Sequence, residues 1–341
     1  MRADVGAAAC PKQMTFGPCG GVRDDGSCEM RAHPCPFATD TVPVPWPGPG
    51  PEPGSTVPDS VLLAALGTGR AVLTDLSLPP YDEHAVGEMV RLLAGSCDAF
   101  LVGEHQDRPD WPPTVMTRLV REAGGVLWTT LACRDRNRVV LEQELAGLRL
   151  AGADGVLCVT GDGRAPGVRD GVTQVFDLDG TELAALAAAA GHAVAVPESP
   201  EAFPRGLRPG RLVEKQRAGA HVAVLNHVST PQQVAAYVAR ARELGLTIPV
   251  VAAVAVYTDE RSARVLQRFP GLHVDDAAVE RVLAAPDVRA AGIDAAVEEA
   301  RALLAIEGVA GVNLSGRGSS FDEFHGAQVK AEIGVRIKED R

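Results

Sequence analysis

From about residue 61 the chain alternates between short apolar runs and longer amphipathic stretches. The runs cover 71–74, 99–102, 126–131, 155–159, 193–196, 222–225, 249–254 and 309–314, and they are rich in Val, Leu and Ala. Runs this short and this uniformly apolar predict strands buried on both faces. Apolar residues between them recur at helical spacing over 84–93, 113–123, 138–151, 181–190, 211–218, 231–244, 275–285 and 293–306, with a further tail. Thr230 before Pro231 fits a helix N-cap with proline at the first helical position, and Gly152 fits a stop. Strand–helix units repeated eight times predict an α/β fold of the (β/α)8 TIM-barrel type. The competing arrangement is an open doubly wound sheet, but no dinucleotide-binding glycine fingerprint follows the first run.

In such a barrel the chemistry lies at the C-terminal strand ends. That rule selects Asp75, Glu104 and His105, residues 133–137, residues 160–162, Glu198, Asn226 and His227, Tyr257, and residues 315–317. Asp135 and Asn137 also read as caps of the following helix, and Cys97, Cys133 and Cys158 as small core residues.

The N-terminus has a different composition. Cys10, Cys19, Cys28 and Cys35 fall in a Gly/Pro-rich stretch with too few large apolar residues for a core. Four thiolates suffice for a tetrahedral metal site, and bound metal would supply the missing folding energy. Zinc is the first choice and a [4Fe-4S] cluster the second, with a structural role expected for four closed thiolates. Seven prolines between Pro43 and Pro58 predict a semi-rigid extended linker. The expected organisation is a Cys-rich metal-binding module at 1–42, a linker at 43–60 and the barrel at 61–341. Net charge of −11 argues against nucleic-acid binding. No apolar stretch is long enough to span a membrane and no signal peptide is visible, so a reducing, cytoplasmic setting is expected. Of the 33 basic residues only Lys12, Lys215, Lys330 and Lys338 are lysines.

Several strand ends together resemble the methylenetetrahydrofolate reductase family, especially its bacterial branch. The residues are Thr130-Leu131-Ala132-Cys133-Arg134-Asp135-Arg136-Asn137, then Gly155-Val156-Leu157-Cys158-Val159-Thr160-Gly161-Asp162, then Val175-Phe176-Asp177-Leu178-Asp179. Lys215 followed by Ala218-Gly219-Ala220 continues the likeness, which covers about residues 70–315. The run Cys10-Pro11-Lys12-Gln13-Met14-Thr15-Phe16-Gly17-Pro18-Cys19-Gly20-Gly21, with Gly26-Ser27-Cys28-Glu29, resembles a cysteine-rich module found with certain bacterial members as a partner subunit or fused piece.

The resemblance implies a barrel that binds a reduced folate. Hydride passes from NAD(P)H, through FAD in the flavoprotein members, to the methylene carbon of 5,10-methylenetetrahydrofolate. It assigns Asp162 to the flavin and folate rings, Lys215 to FAD phosphate, and Thr130, Thr160 and Gly161 to the same cofactor face. His105, Asn226 and Ser315 become candidate substrate contacts. The family's acidic residue near the end of the first strand aligns with Leu76, which leaves neighbouring Asp75 as its stand-in and Glu104 as a second candidate acid. Departures at the first, sixth and eighth strand ends keep two alternatives open. One is a flavin-independent, folate-dependent methylene transferase, and the other an inactive relative whose Cys segment docks a redox partner. A homo-oligomer is expected.

Overall fold

A computed structural model describes residues 10–50, 58–105, 107–164, 168–269 and 271–339. Eight parallel strands close into a barrel in sequence order. They are β1 (Ala71–Asp75), β2 (Ala99–Val102), β3 (Leu127–Ala132), β4 (Gly155–Val159), β5 (Val194–Glu198), β6 (Val222–Leu225), β7 (Val250–Tyr257) and β8 (Val309–Gly318). The helices are α1 (Val61–Leu66), α2 (Glu83–Leu93), α3 (Pro113–Glu122), α4 (Arg138–Ala151), α5 (Gly180–Ala189), α6 (Arg208–Arg217), α7 (Pro231–Glu243), α8 (Glu260–Arg268), α9 (Asp276–Leu283), α10 (Val288–Leu304) and α11 (Glu323–Glu339). The TIM-barrel expectation is met.

Alternation along each strand divides the apolar residues into two sets. Leu73, Leu101, Trp128, Leu157, Val224 and Val251 fill the barrel interior, while Val72, Leu131, Val156, Val196, Leu225 and Val254 pack outward against the helices. Gly155 is required beneath the Trp128 ring, because a Cβ there would lie 2.4 Å from it. The interior is closed below by α1, whose Leu62 and Leu66 belong to the same cluster. Burying each such leucine contributes about 1.5–3 kcal/mol. Asp154 fastens this plug. It accepts hydrogen bonds from Ser60 Oγ at 2.8 Å, Val61 N at 2.7 Å and Trp128 Nε1 at 2.7 Å.

The helix ends follow local chemistry. Asn137 caps α4, and Thr230 caps α7 just before Pro231. Gly152 ends α4 in the left-handed region. Asp179 and Glu182 form a capping box at α5. Helix α8 falls outside the predicted stretches, and α10 begins at Val288, ahead of the predicted 293. Strands β7 and β8 run beyond their predicted ends, so Tyr257 and Ser315 lie within strands.

Among the described residues, 10–50 form neither helix nor strand, only an isolated bridge between Ser27 and Pro34. Met14, Val22, Cys35 and Phe37 make a small apolar cluster with Phe203 of the barrel. This segment lies on the barrel. Thr15 N and Phe16 N both donate to Asp179 Oδ2 at 3.0 Å, and Gln13 Nε2 donates to Val175 O at 3.1 Å. Arg208 donates to Pro18 O and Cys19 O, and Trp46 N donates to Glu214 Oε2 at 2.7 Å. The residues read as the start of a linker therefore include an anchored tryptophan, packed on Phe16 with ring centroids 5.0 Å apart.

Candidate functional site

The inner wall changes character toward the C-terminal strand ends. Toward these ends the wall carries Asp75, Thr130, Asn226, Asn313 and Ser315, at strand positions or just beyond them. The register places Leu73 beside Asn313, and the Asn313 amide donates to Asp75 Oδ1 at 2.8 Å. Lys330 of α11 donates to the Asp75 carbonyl at 2.6 Å. Burial lowers Lys330 to about 8, with Asp75 pulling it back up. Asn226 Nδ2 donates to Ser199 Oγ at 2.8 Å. His227 is buried with neither ring nitrogen hydrogen-bonded among the described residues, and burial lowers it to about 4, against a raising pull from Asp75. The Asn313 Oδ1 atom is buried and unpartnered as well. Such unsatisfied polar atoms are uncommon in a native interior and mark a place where a ligand's polar edge can be met.

Asn313 is the site residue that the sequence reading did not select. Its signal was a single amide inside an otherwise apolar run, at a position whose i−2 neighbour faces inward.

Beside this pair, the β2 and β3 ends frame a cavity of about 300 Å³. Glu104 accepts from Ala132 N at 3.0 Å and from Arg136 Nη1 at 2.6 Å. Burial raises the Glu104 pKa, with Arg136 opposing. His105 Nε2 lies 3.4 Å from Arg108, and burial lowers its pKa. Thr130 lines the same cavity. Arg134 is buried, bonding Asp135, His105 O and Asp162 O, while Arg164 makes a bidentate pair with Asp135. Of the two candidate caps, only Asn137 caps a helix. A wider groove of about 510 Å³ lies on the outer wall between α4 and α5, away from the strand ends and walled largely by Leu145, Leu150 and Leu186.

The opposite half of the mouth is covered. Gly161 adopts φ +91°, and its carbonyl accepts from Lys12 Nζ at 2.8 Å. Lys12 also pairs with Glu29. Burial pushes the Lys12 pKa down, but Cys19, Glu29 and Asp162 together outweigh it and hold it above the ordinary value. Asp162 keeps an exposed edge. Its carboxyl is crowded enough that burial raises its pKa, opposed by Lys12. A Cβ on Gly163 would lie 2.4 Å from Met30. Thr160 accepts from Gly180 N at 2.9 Å and so holds the start of α5.

Lys215 departs from its expected role. It is buried in α6, pairs with Glu198 at 2.9 Å and donates to Pro197 O. Arg208 and Arg211 reach the same carboxylate at 3.2 and 2.8 Å. Burial alone would raise the Glu198 pKa, but the three cations hold it well below the carboxylate range. A lysine so engaged has its charge taken up by Glu198 within the barrel wall.

Cys10, Cys19, Cys28 and Cys35 line one cavity of about 10 Å³, together with Lys12 and Glu29. Among the described residues, no three His, Cys, Asp or Glu side chains stand at metal-ligating geometry. Burial raises Cys10, Cys19 and Cys35, the last to about 11. The four thiols share this cavity, and thiolates are the donor type that zinc takes, but as they stand no three of them are placed to hold an ion.

Fold and site together define a (β/α)8 barrel with a polar inner mouth, half open and half covered by a cysteine-bearing segment. No family model and no curated protein matches the sequence. An uncharacterized protein from Clostridium thermocellum that binds two copies of 5-methyl-5,6,7,8-tetrahydrofolic acid shares the fold. Its TM-score is 0.60 at 11% identity, over 81% of this chain and 98% of its own. Tryptophan synthase from M. tuberculosis aligns at TM-score 0.45 and 13% identity, over 82% of this chain and 99% of its own. A 2,3-dimethylmalate lyase of the PEP mutase/isocitrate lyase superfamily aligns at 0.45 and 11%, over 74% and 77%. No helix among the described residues is long and apolar enough to cross a membrane.

Proposed function

We propose that this chain is a reduced-folate-binding barrel enzyme of one-carbon chemistry, similar to methylenetetrahydrofolate reductases. It reduces the methylene carbon of 5,10-methylenetetrahydrofolate with hydride from NAD(P)H. The observation that carries this reading is the Asp75–Asn313 pair on the open inner wall. A pterin presents adjacent N–H donors on its 2-amino and N3 edge, and a carboxylate accepts both. Among the described residues no Lys or Arg side chain is paired to the Asp75 carboxylate, unlike those of Glu104 and Glu198. The strand-end motifs and the tetrahydrofolate-binding barrel of similar fold support the same ligand class.

Asp75 and Asn313 hold the pterin edge, with Asn226 across the mouth. Glu104 is the candidate acid for opening the imidazolidine ring to the iminium; burial raises its pKa, and its pairing with Arg136 opposes that shift. The hydride then adds to that carbon. Lys215 and the covered β4–β6 rim do not fit FAD, so the direct nicotinamide route is favoured. A zinc ion at the four cysteines would tie the N-terminal segment together. The alternative of methylene transfer without reduction uses the same folate site.

The test is calorimetric titration of the purified protein with 5-methyltetrahydrofolate, alongside anaerobic NADH and NADPH oxidation with methylenetetrahydrofolate and an absorbance scan for flavin. Folate binding with nicotinamide oxidation in colourless protein is the expected result. Folate binding without oxidation points to the transferase, and no binding overturns the proposal.

A further inference from the structure

We infer that the cavity beside the β2 and β3 ends takes the p-aminobenzoyl-glutamate tail of the folate, a carboxylate-bearing aromatic. The inference rests on the folate reading above and adds a place for the rest of the molecule. Thr130 and Glu104, at the β3 and β2 ends, line the cavity, and through them the proposal joins it to the ligand held at Asp75. At about 300 Å³ it is at the small end of ordinary ligand pockets.

Its charges are unevenly engaged. Glu104 is paired with Arg136, and Asp135 with Arg134 and Arg164. Asp110 accepts from the backbone N–H groups of Tyr81 and Trp111, and Glu144 accepts from Thr114. Arg108 bonds only Leu78 O and His105, and among the described residues neither Arg108 nor Arg169 has a carboxylate partner. Two guanidinium groups without acids are suited to carboxylates, which they bind with charge-assisted, geometrically matched hydrogen bonds. The apolar wall is Trp111 and Met116. Trp111 is set edge-on to Tyr81 at 5.2 Å, and its buried indole N–H has no acceptor. An aromatic ring carrying an amide carbonyl and terminal carboxylates matches this combination of flat apolar wall, free donor and free cations.

Three probes separate the possibilities: 5-methyltetrahydrofolate, 6-methyltetrahydropterin, which has the ring without the tail, and p-aminobenzoyl-L-glutamate alone. Each is titrated against the full chain and against Arg108→Ala, Arg108→Lys and Arg169→Ala. The folate should bind at least about tenfold tighter than the pterin. Arg108→Ala should lower folate affinity about tenfold while leaving the pterin unchanged, with Arg108→Lys intermediate. Arg169→Ala, at an exposed position, gives a second reading independent of folding and should weaken folate severalfold. An unchanged folate-to-pterin ratio in both alanine variants overturns the inference while leaving the folate reading intact. Should the pterin not bind at all, the folate reading fails. The tail fragment then decides alone: binding that Arg108→Ala removes supports the pocket, and no binding overturns it.

Discussion

The two halves of the barrel mouth handle charge in opposite ways. Across β4 to β6, Glu198 takes Arg208, Arg211 and Lys215, Lys12 takes Glu29 and the Gly161 carbonyl, and residues of the N-terminal segment cover the result. Across β8 to β3, the Asp75 carboxylate accepts from the Asn313 amide and is paired to no Lys or Arg side chain among the described residues, and Arg108 lines a cavity whose carboxylates are engaged by other groups. Facing Asp75 from beyond β6, the His227 ring has no hydrogen-bond partner among the described residues. The first half is a closed electrostatic network in which groups hold one another. The second leaves polar groups in place for something that is not part of the chain. On one scaffold, charge that is internally satisfied marks architecture, and charge left over marks the site.

The comparison is most sharply broken at Glu198. One carboxylate serves three buried cations, and the surplus positive charge is absorbed by backbone carbonyls: Arg208 reaches Ala202 O, Phe203 O, Pro18 O and Cys19 O. Glu198→Gln removes the carboxylate to which all three are paired. A loss of about 3–5 kcal/mol is expected, the range for breaking a buried pair by deleting one partner. The urea midpoint of the full chain measures it. A change below about 1 kcal/mol would show that the network is not holding this half together.

The next effect is a pH dependence centred on His227. Its folded pKa is about 4 because the ring is buried, and an unfolded histidine titrates near about 6.5. As pH falls, the unfolded chain therefore binds the proton first. Stability from this residue is complete above about pH 6.5, and about 3 kcal/mol is lost by pH 4. His227→Asn should flatten the acid limb of the stability curve by roughly that amount. His192 and His221 are lowered by burial as well, so a slope remains. Equal acid limbs in the variant and the parent would remove His227 from the group of uncompensated mouth residues.

Much of the barrel was legible in the sequence because buried parallel strands read as unbroken apolar runs. Helix α8 was hidden because Glu260–Arg268 is mostly polar and buries only Ser262, Ala263 and Leu266. The plug α1 escaped because six residues are too few to show a period. At the site, strand ends and motif spacing drew attention to Glu198 and Lys215 separately but could not reveal that they pair, because ion pairing depends on how α6 lies over β5. The cap reading of Asn137 was local chemistry and was readable. Docking of residues 12–30 on the β4–β6 rim was not, since backbone amides donating to Asp179 leave no mark in the sequence.

The smallest effect on the fold and the most informative one on function belong to Asp75. Asp75→Asn keeps the shape and an oxygen to accept from Asn313, so stability should change by less than about 1 kcal/mol. What it removes is the carboxylate's second acceptor and its charge. If the open half is the folate site, 5-methyltetrahydrofolate affinity should fall at least about tenfold, because one of two charge-assisted hydrogen bonds to the pterin edge is replaced by a donor facing a donor. The two measurements belong together, calorimetric affinity and urea midpoint on the same preparation. Retained affinity with a lowered midpoint would place Asp75 with Glu198 as part of the architecture. Lost affinity at an unchanged midpoint is what separates a group held for a ligand from one held for its neighbours.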